Sequence, residues 1–338
     1  MGEIKDILKK TFQGEDLSEN EISRMMRAIF TEEATSCQTG AFLASLATKG
    51  ESPAELAAAA RSMRARAKHL QILRQPIIDT CGTGGDGVGT FNISTTVAFV
   101  VAAAGGVVAK HGNRAISSKC GSADVLEYLG ISTEVSHVKV EECIQKLGIG
   151  FLFAPAVHQA TRVVVPIRRE LGVRTIFNML GPLTNPAGAR FQVVGVYRAD
   201  LTELFAEAMR LLGIQRAFIV HGHDGMDEIS VSAPTRITQM ENGRIRTYDL
   251  FPEMYFEQLA DVEAVRGGDV QQNAEILLAV LSGECGPRRN IVLLNAAAAF
   301  VAAQMVDNLY EGIRRAQYVL DSGEAREKLE AVRAFLKG

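Results

Sequence analysis

The chain has 338 residues, of which 47% are hydrophobic and 22% are charged, and its formal net charge is −3 at pH 7. This length allows a sizeable core and about two domains, and the composition is that of an ordinary globular protein. A net negative charge argues against bulk affinity for nucleic acid or an anionic membrane. The five scattered cysteines contain no C-x-x-C pair, which favours a reducing compartment over a disulfide framework or a zinc site.

We expect neither a membrane-spanning segment nor an export signal. The longest apolar run, 97–109, has 13 residues, shorter than the ~20 that span a bilayer. The segment MGEIKDILKK lacks the apolar centre of a signal peptide. We therefore expect a cytoplasmic protein without a membrane partner.

Residues 1–70 predict a small helical domain. Ser18 and Glu21 form a capping box ahead of apolar residues at helical spacing. Ser52 as N-cap, followed by Pro53 and then Glu55 at the third helical position, opens an Ala-rich helix. Three apolar side chains of the helix that follows Ser18 are expected in the core or, alternatively, at a subunit interface: Met25, Met26 and Phe30.

Residues 71–338 show short β-branched runs that alternate with helical ones. The runs IIDT, GVVAKHG, FLFAP, FQVVGVYR and RAFIVHG predict strands. This alternation predicts an α/β fold with a mainly parallel central sheet, in which ligands bind at the carboxyl ends of strands. The segment 250–272 gives only a mixed signal.

A glycine-rich loop, DTCGTGGDGVGTFNIS at 79–94, follows a predicted strand and precedes a helix that begins near Asn92 or Ser94. Its glycines let backbone N–H groups approach an anion, and the helix N-terminus adds the positive end of its dipole. Gly82, Gly84 and Gly87 also match the dinucleotide pattern G-x-G-x-x-G. A tight turn that binds nothing is the alternative interpretation.

Two features argue against a nicotinamide dinucleotide. The next predicted strand ends in Lys110, where such a site needs an acidic residue about 20 positions after the loop. Asp86 inside the loop opposes a bare pyrophosphate unless a metal ion or a sugar hydroxyl lies between them. A Walker A loop is excluded because Thr90 follows Gly89 with no Lys between them.

Polar side chains collect after neighbouring predicted strands. Hydroxyls at 94–96, the cations of KHGNR at 110–114 and the hydroxyls of SSKCGSAD at 117–124 suit phosphates, ribose hydroxyls and Mg²⁺ together. Taken singly, each Ser or Thr is equally explained as a helix cap.

Asp227 and Glu228 are adjacent carboxylates, which repel unless a cation or solvent screens them. They predict an Mg²⁺ site, and a solvated acidic turn is the alternative.

In order and spacing, these motifs resemble the anthranilate phosphoribosyltransferase family of tryptophan synthesis. The motifs are GTGGDG…TFNIS, KHGNR, SSKCGSADVLEYLG, FAPAVHQA, PIRRELGVRTIFNMLGPLTNP, HGHDGMDEIS and RRNIVLLNAAAA. The resemblance covers nearly the whole chain. It implies a fold like that of nucleoside phosphorylases and phosphoribosyltransferases, in which a helical domain, 1–70, is joined by part of 166–190. A large α/β domain, 71–338, completes the active site, and the helical domain mediates a homodimer.

The resemblance also implies transfer of the 5-phosphoribosyl group from phosphoribosyl pyrophosphate (PRPP) to the amine of anthranilate, with Mg²⁺ as cofactor. The residues it assigns to the PRPP side are Gly82, Gly85, Asp86, Thr90, Asn92, Ser94, Thr95, Lys110, Ser118 and Ser122. Those it assigns to anthranilate are Gly82, Asn113 and Arg168, with His111 and Pro182 along its approach. The implied Mg²⁺ ligands are Ser94, Asp227 and Glu228, and the implied catalytic residues are Lys110, Asn113 and Arg168.

Two other functions remain open from the residues. A pyrimidine nucleoside phosphorylase also reacts at C1 of a ribose, but its Lys-x-Ser-type phosphate motif is not found in the loop. A relative of the same fold that binds nucleic acid needs a basic groove, which the negative net charge disfavours. We therefore expect small-molecule substrates and no nucleic-acid partner.

Overall fold

The structure is a computed structural model that describes residues 2–115 and 119–337. Four helices come first in the chain, and strands then alternate with helices. The helices are α1 (Gly2–Phe12), α2 (Glu19–Phe30), α3 (Ser36–Lys49), α4 (Pro53–Arg64), α5 (Ile93–Ala103), α6 (Ser122–Tyr128), α7 (His137–Leu147), α8 (Ala154–Val157), α9 (Val165–Leu171), α10 (Leu201–Leu211), α11 (Val270–Leu281), α12 (Pro287–Ala302), α13 (Leu309–Asp321) and α14 (Glu324–Phe335). The strands are β1 (Ile77–Asp79), β2 (Val107–Gly112), β3 (Ile149–Phe153), β4 (Phe191–Gly195), β5 (Arg216–Gly222), β6 (Thr235–Glu241) and β7 (Arg244–Leu250).

Within the described residues, the seven strands form one sheet in the order β3-β2-β1-β4-β5-β6-β7. The first five in this order pair in parallel, with Ile78 of β1 opposite Val108 on one side and Phe191 on the other. β6 and β7 extend the sheet as antiparallel strands. The predicted α/β fold with a mainly parallel sheet is thereby confirmed.

The β6–β7 hairpin is an element that the sequence analysis does not identify. Asn242 and Gly243 connect its strands, and both have positive φ, 48° and 82°. Two consecutive residues with positive φ are what the two-residue hairpin turn requires, and Asn-Gly is its preferred sequence.

Two of the four N-terminal helices, α2 and α4, begin where the caps predict. Capping boxes are present at Ser18 with Glu21 and at Ser52 with Glu55, and α4 ends at Arg64. Of the α2 side chains predicted in the core, Met25 and Met26 are fully buried. Phe30 is half-buried, and its ring centroid lies 6.4 Å from that of Phe177 in an edge-on arrangement.

Apolar side chains fill both faces of the sheet. Because side chains alternate along a strand, Val193 and Val194 of β4 enter different cores. Val193 packs in the core built with α5 and α11–α14. Val194 packs in the core that joins α1–α4 and α10.

The chain returns to the helical core after α9. Ile176, Phe177 and Leu183 are buried in the same cluster as α1–α4, and Arg64 Nε donates to the carbonyl oxygen of Leu183 at 2.7 Å. The predicted domain bounds, 1–70 and 71–338, stay a prediction. In the described part of the chain, no helix combines the length and apolar character that crossing a bilayer requires.

Candidate active site

The predicted site residues lie mostly where β1, β2 and β5 end, at the carboxyl edge of the parallel strands. The loop after β1, residues 80–92, leads into α5, and the loop after β5 carries the acidic pair. Parallel pairing of β1 with β2 and β4, and of β4 with β5, brings these loops to one edge. The fold therefore assembles groups that are up to about 150 positions apart in the chain.

The glycine-rich loop packs directly on β4. Thr83 N donates to the carbonyl oxygen of Gly195 at 2.8 Å. A Cβ atom on Gly82 would lie 3.0 Å from the Gly195 oxygen and 3.1 Å from Asp227 Oδ2. Gly84 and Gly85 have positive φ, 66° and 76°, which glycine adopts without strain. Glycine at these positions therefore permits both the turn and the close contact with the acidic pair.

Three carboxylates gather beside this loop. Gly84 N donates to Asp227 Oδ2 at 2.8 Å, and Asp227 N donates to Asp86 Oδ2 at 3.4 Å. Burial and the charge of Asp86 raise the pKa of Asp227 to about 7. Burial and Asp227 raise the pKa of Glu228 well above its ordinary value, so this part of the site favours a neutralising cation.

Lys110 supplies a positive charge within the same group. Its Nζ donates to the Thr80 carbonyl oxygen at 3.2 Å and to Ser94 Oγ at 3.1 Å, and only 3% of the residue is exposed. Behind it lies Asp79, which accepts from Asn185 Nδ2 at 2.6 Å. Burial raises the pKa of Asp79 to about 6, and the charge of Lys110 opposes this shift. Lys110 is thus fixed between the glycine-rich loop and the start of α5.

The available metal ligands are all oxygen atoms. The predicted ligands are the hydroxyl of Ser94 and the carboxylates of Asp227 and Glu228. Residues 2–115 and 119–337 contain no group of three or more His, Cys, Asp or Glu side chains placed to hold a metal ion. Mg²⁺ takes one or two carboxylates together with substrate phosphate oxygens. The donor set therefore fits Mg²⁺ shared with a phosphate, and it does not form a protein-only cage.

His111, on β2, faces a second group of polar side chains. Its Nδ1 lies 3.0 Å from the carbonyl oxygen of Gly181, the residue before Pro182. Burial lowers the pKa of His111 to about 4, so the ring is neutral at pH 7 and Nδ1 carries the proton. The ring of His158 packs edge-on at a centroid distance of 5.1 Å. The Nε2 atoms of both histidines are buried without a hydrogen-bond partner in the described part of the chain.

Arg168 lies on α9, close to the helical core. It donates to Asn178 Oδ1 at 3.3 Å, and its guanidinium carbon lies 5.8 Å from the centroid of the Phe177 ring. Burial lowers the pKa of Arg168. Its Nε is buried and, among the described residues, has no partner. The unpaired Nε edge of the Arg168 guanidinium can bind the carboxylate of a planar ligand.

Asn113 follows β2 and is held through its backbone. Asn113 N donates to Ser122 Oγ at 3.1 Å, and its side-chain oxygen accepts from Arg114 N at 2.8 Å. Thr95 Oγ1, on α5, is buried without a partner among the described residues. The structure thus brings Ser122 to Asn113, but within the described residues the side-chain hydrogen bond of Arg168 goes to Asn178, which is not one of the predicted site residues.

Comparison with known proteins identifies the family. Residues 74–326 match the family model "Glycosyl transferase family, a/b domain", and residues 5–67 match "Glycosyl transferase family, helical bundle domain". The anthranilate phosphoribosyltransferase of Syntrophobacter fumaroxidans is 57% identical over 329 residues, which are 97% of this chain and 98% of the relative. The chain belongs to the anthranilate phosphoribosyltransferase family.

Two solved structures of anthranilate phosphoribosyltransferases have the same fold. The crystal structure of the enzyme from Thermus thermophilus matches with a TM-score of 0.93 and 46% identity, covering 98% of this chain and 100% of that one. The Saccharomyces cerevisiae enzyme in complex with PRPP and Mg matches with a TM-score of 0.90 and 28% identity, covering 98% and 97%. The resemblance inferred from the motifs is confirmed, and the chain is an enzyme of the glycosyltransferase class.

For this phosphoribosyltransferase, the structure adds residues to which the sequence analysis gives no role. Arg174 donates to the carbonyl oxygen of Gly85, and its guanidinium carbon lies 3.9 Å from the centroid of the Tyr197 ring. Asp79 and His158 also belong to this set. Asp79 is recognisable in the sequence because it is a charged residue at the end of an apolar strand. No local signal identifies Arg174, because its partners are distant in the chain.

The remaining predicted residues are distributed along the same loops. Thr90 forms an isolated antiparallel bridge with Arg266, which fixes the end of the glycine-rich loop. Asn92 is the N-cap residue of α5, and its side chain does not donate or accept a cap hydrogen bond. Ser118 lies outside the described residues. The roles of all these residues in binding remain predictions.

Proposed function

We propose that this chain transfers the 5-phosphoribosyl group of PRPP to the amine of anthranilate, forming N-(5-phosphoribosyl)anthranilate and releasing pyrophosphate. This is the second step of tryptophan synthesis from chorismate. Identity of 57% over nearly the full length of a named relative supports it. The structural observation that carries the proposal is the acidic pair beside a glycine-rich loop, with Gly84 N 2.8 Å from Asp227 Oδ2.

In the reaction, the anthranilate nitrogen forms a bond to C1 of the ribose, and the bond from C1 to the pyrophosphate oxygen breaks. Cleavage runs ahead of attack because the ribose can carry positive charge. The departing pyrophosphate gains negative charge, which loop N–H groups and Lys110 stabilise from fixed positions. Ser94, Asp227 and Glu228 would hold Mg²⁺, which would supply further positive charge for the departing pyrophosphate.

The residues near Arg168 orient the acceptor. An aromatic amine is neutral at pH 7, so its attack needs no strong base, and orientation alone lowers the barrier. Arg168 binds the carboxylate of anthranilate, while Asn113 and Gly82 contact the molecule from the loop side. His111 and Pro182 line the approach, and a neutral His111 does not compete with Arg168 for the carboxylate. The Nε of Arg168, which has no partner among the described residues, supports this assignment.

The helical part of the chain has two further roles in this proposal. Its movement toward the glycine-rich loop excludes water, which otherwise hydrolyses the sugar diphosphate. It also forms the contact of a homodimer in the cytoplasm. Three apolar side chains are exposed in this part of the chain: Phe12, Val165 and Val173.

The anthranilate reaction fits the chain better than phosphorolysis of a pyrimidine nucleoside or binding of nucleic acid. The family relatives are anthranilate phosphoribosyltransferases. The test follows the fluorescence of anthranilate after purified protein is mixed with PRPP and Mg²⁺. We expect the signal to fall only when both are present. A flat trace, together with phosphorolysis of thymidine or uridine by the same preparation, would overturn the proposal.

A further inference from the structure

A buried amide on α12 contacts the acidic turn from behind. Only 1% of Asn295 is exposed, in a helix whose buried face is otherwise mostly apolar. Its Oδ1 accepts from Ile229 N at 2.9 Å, and its Nδ2 donates to the carbonyl oxygens of Ile229 and Ile291, both at 2.9 Å. A buried amide is unfavourable unless these bonds are made. The Asn295 amide therefore makes three of the four hydrogen bonds that a side-chain amide can form.

Ile229 directly follows Glu228, in a segment that belongs to no strand. β5 ends at Gly222 and β6 begins at Thr235, so the peptide groups of Ile229 have no neighbouring strand to bond. Asn295 takes both the N–H and the C=O of this residue, as a paired strand does. The side chain of Ile229 is itself fully buried. The chain is therefore fixed in position immediately after the acidic pair.

The acidic pair is also fixed on its other side. Met226 is fully buried, and its carbonyl oxygen accepts from Gly222 N at 2.8 Å. The backbone of Asp227 packs on β4 so closely that a Cβ atom on Gly195 would come within 1.5 Å of the Asp227 oxygen. Asp227 and Glu228 therefore form a two-residue segment between two anchored neighbours. Their mutual repulsion, and that of Asp86, pushes the turn apart unless both anchors hold.

We infer that Asn295 is a positioning residue for the Mg²⁺ and pyrophosphate side of the site. It touches neither ligand, and it sets the direction of the Asp227 and Glu228 carboxylates through the backbone of Ile229. The identity of the ligands rests on the proposed function. The role of Asn295 in positioning the acidic pair rests only on the three hydrogen bonds of its amide.

The test compares Asn295→Ala with Val292→Ala, which removes a fully buried side chain from the same helix. Calorimetry measures the dissociation constant of PRPP at several Mg²⁺ concentrations, and kinetics measures KM for anthranilate. We expect PRPP binding and the apparent Mg²⁺ affinity to weaken about tenfold in Asn295→Ala, as for other outer partners of metal ligands. KM for anthranilate stays at the value of the Val292→Ala control. Equal PRPP binding by the two variants would make Asn295 a packing residue only.

Two further measurements do not depend on Asn295→Ala folding well. Asn295→Asp keeps an acceptor for Ile229 N but places an oxygen against two carbonyl oxygens, so PRPP binding weakens in this variant as well. In the unmodified protein without ligands, we expect slow hydrogen exchange at the Ile229 amide, because the bond to Asn295 is already formed. Fast exchange that slows only on addition of Mg²⁺ and PRPP would overturn the inference.

The same preparations separate this inference from the proposed function. If the unmodified chain binds PRPP but does not consume anthranilate, the proposed function fails, and weaker binding by Asn295→Ala still supports the positioning role. If anthranilate is consumed and Asn295→Ala binds PRPP as Val292→Ala does, the positioning role fails alone. Absence of PRPP binding by the unmodified chain would overturn both.

Discussion

The site has two sides that satisfy their polar groups differently. On the proposed phosphoribosyl side, made by the glycine-rich loop, Ser94, Lys110 and the acidic pair, polar side chains bond to one another and to the loop backbone, although Thr95 Oγ1 is buried without a partner among the described residues. Lys110 Nζ donates to Ser94 Oγ at 3.1 Å, and Asp227 accepts from Gly84 N at 2.8 Å. On the acceptor side, made by His111, His158 and Arg168, buried nitrogen atoms have no partner among the described residues.

This difference indicates where each substrate gains its binding energy. A buried polar atom without a partner costs about 1–3 kcal/mol. A ligand that pairs with Arg168 Nε or a histidine Nε2 recovers that cost, so hydrogen bonding dominates on the acceptor side. On the phosphoribosyl side the cost is repulsion between neighbouring carboxylates, so a cation provides the gain. Removing charge from one side and a hydrogen-bonding group from the other should therefore have different effects.

The largest effect is expected from the double substitution of Asp227→Asn with Glu228→Gln. The amides keep the shape of the side chains and an acceptor for Gly84 N, but they remove the charge that we propose holds Mg²⁺. We expect turnover to fall by more than the roughly 100-fold that the loss of an outer partner of a metal ligand can cost. The thermal midpoint should stay unchanged or rise, because the repulsion with Asp86 is gone. Steady-state kinetics across an Mg²⁺ titration, with thermal unfolding, tests both expectations.

The matched control carries the same change of charge away from the site. Glu241→Gln with Asp249→Asn neutralises two carboxylates on the β6–β7 hairpin, where both pair with cations near the surface. We expect this control to leave the Mg²⁺ titration unchanged. If the two double variants have the same Mg²⁺ dependence, the acidic pair is not the metal site.

Local patterns identify the segments that we propose for the phosphoribosyl side. Glycines at 82–87, the end of a β-branched run at Lys110 and the adjacent acids at 227–228 are all visible in short windows of sequence. The helix caps at Ser18 and Ser52 are predictable for the same reason, since a cap is formed by residues three positions apart. The Asn242-Gly243 turn carries a local signal of equal strength, although the β6–β7 hairpin is absent from the predicted strands.

Long-range contacts account for what the sequence does not reveal. Asp79 bonds to Asn185, which is 106 positions away, and Arg174 bonds to Gly85, which is 89 positions away. The return of Ile176 and Leu183 to the helical core is another case, because no local period distinguishes the core that an apolar segment enters. Such contacts form only after the sheet order is set, so a window of sequence does not contain them.

On the acceptor side, Arg168→Ala tests the proposed carboxylate contact. A bidentate, charge-assisted pair contributes about 1.5–3 kcal/mol, so KM for anthranilate should rise about 10- to 100-fold while KM for PRPP changes little. Arg168→Lys keeps the charge without the planar guanidinium group. Its KM for anthranilate should therefore lie between those of the unmodified enzyme and Arg168→Ala. The control is Arg169→Ala at the exposed neighbouring position. Equal increases in KM for both substrates would show that Arg168 does not bind the carboxylate.

The smallest effect concerns His158 and the pH dependence of stability. Burial and the nearby His111 lower the pKa of His158 to about 3, below its ordinary value of 6.5. Between these values the unfolded chain takes up a proton that the folded chain does not, so this stabilisation is present above pH 6.5 and is lost as pH falls. One pKa unit corresponds to about 1.4 kcal/mol. From pH 6.5 to 4.5, His158 therefore accounts for up to about 2 kcal/mol of the lost free energy of unfolding.

Urea unfolding at these two pH values measures the contribution of His158. In His158→Asn the amide can still donate a hydrogen bond but does not titrate, so acidification should reduce the free energy of unfolding by up to about 2 kcal/mol less than in the unmodified chain. The control is His69→Asn at an exposed histidine, for which the same loss as in the unmodified chain is expected. If all three proteins lose equal stability, folding does not lower the pKa of His158, which means that solvent reaches its ring in the folded state. The acceptor side would then be hydrated, and its buried nitrogen atoms would bond to water rather than to a substrate.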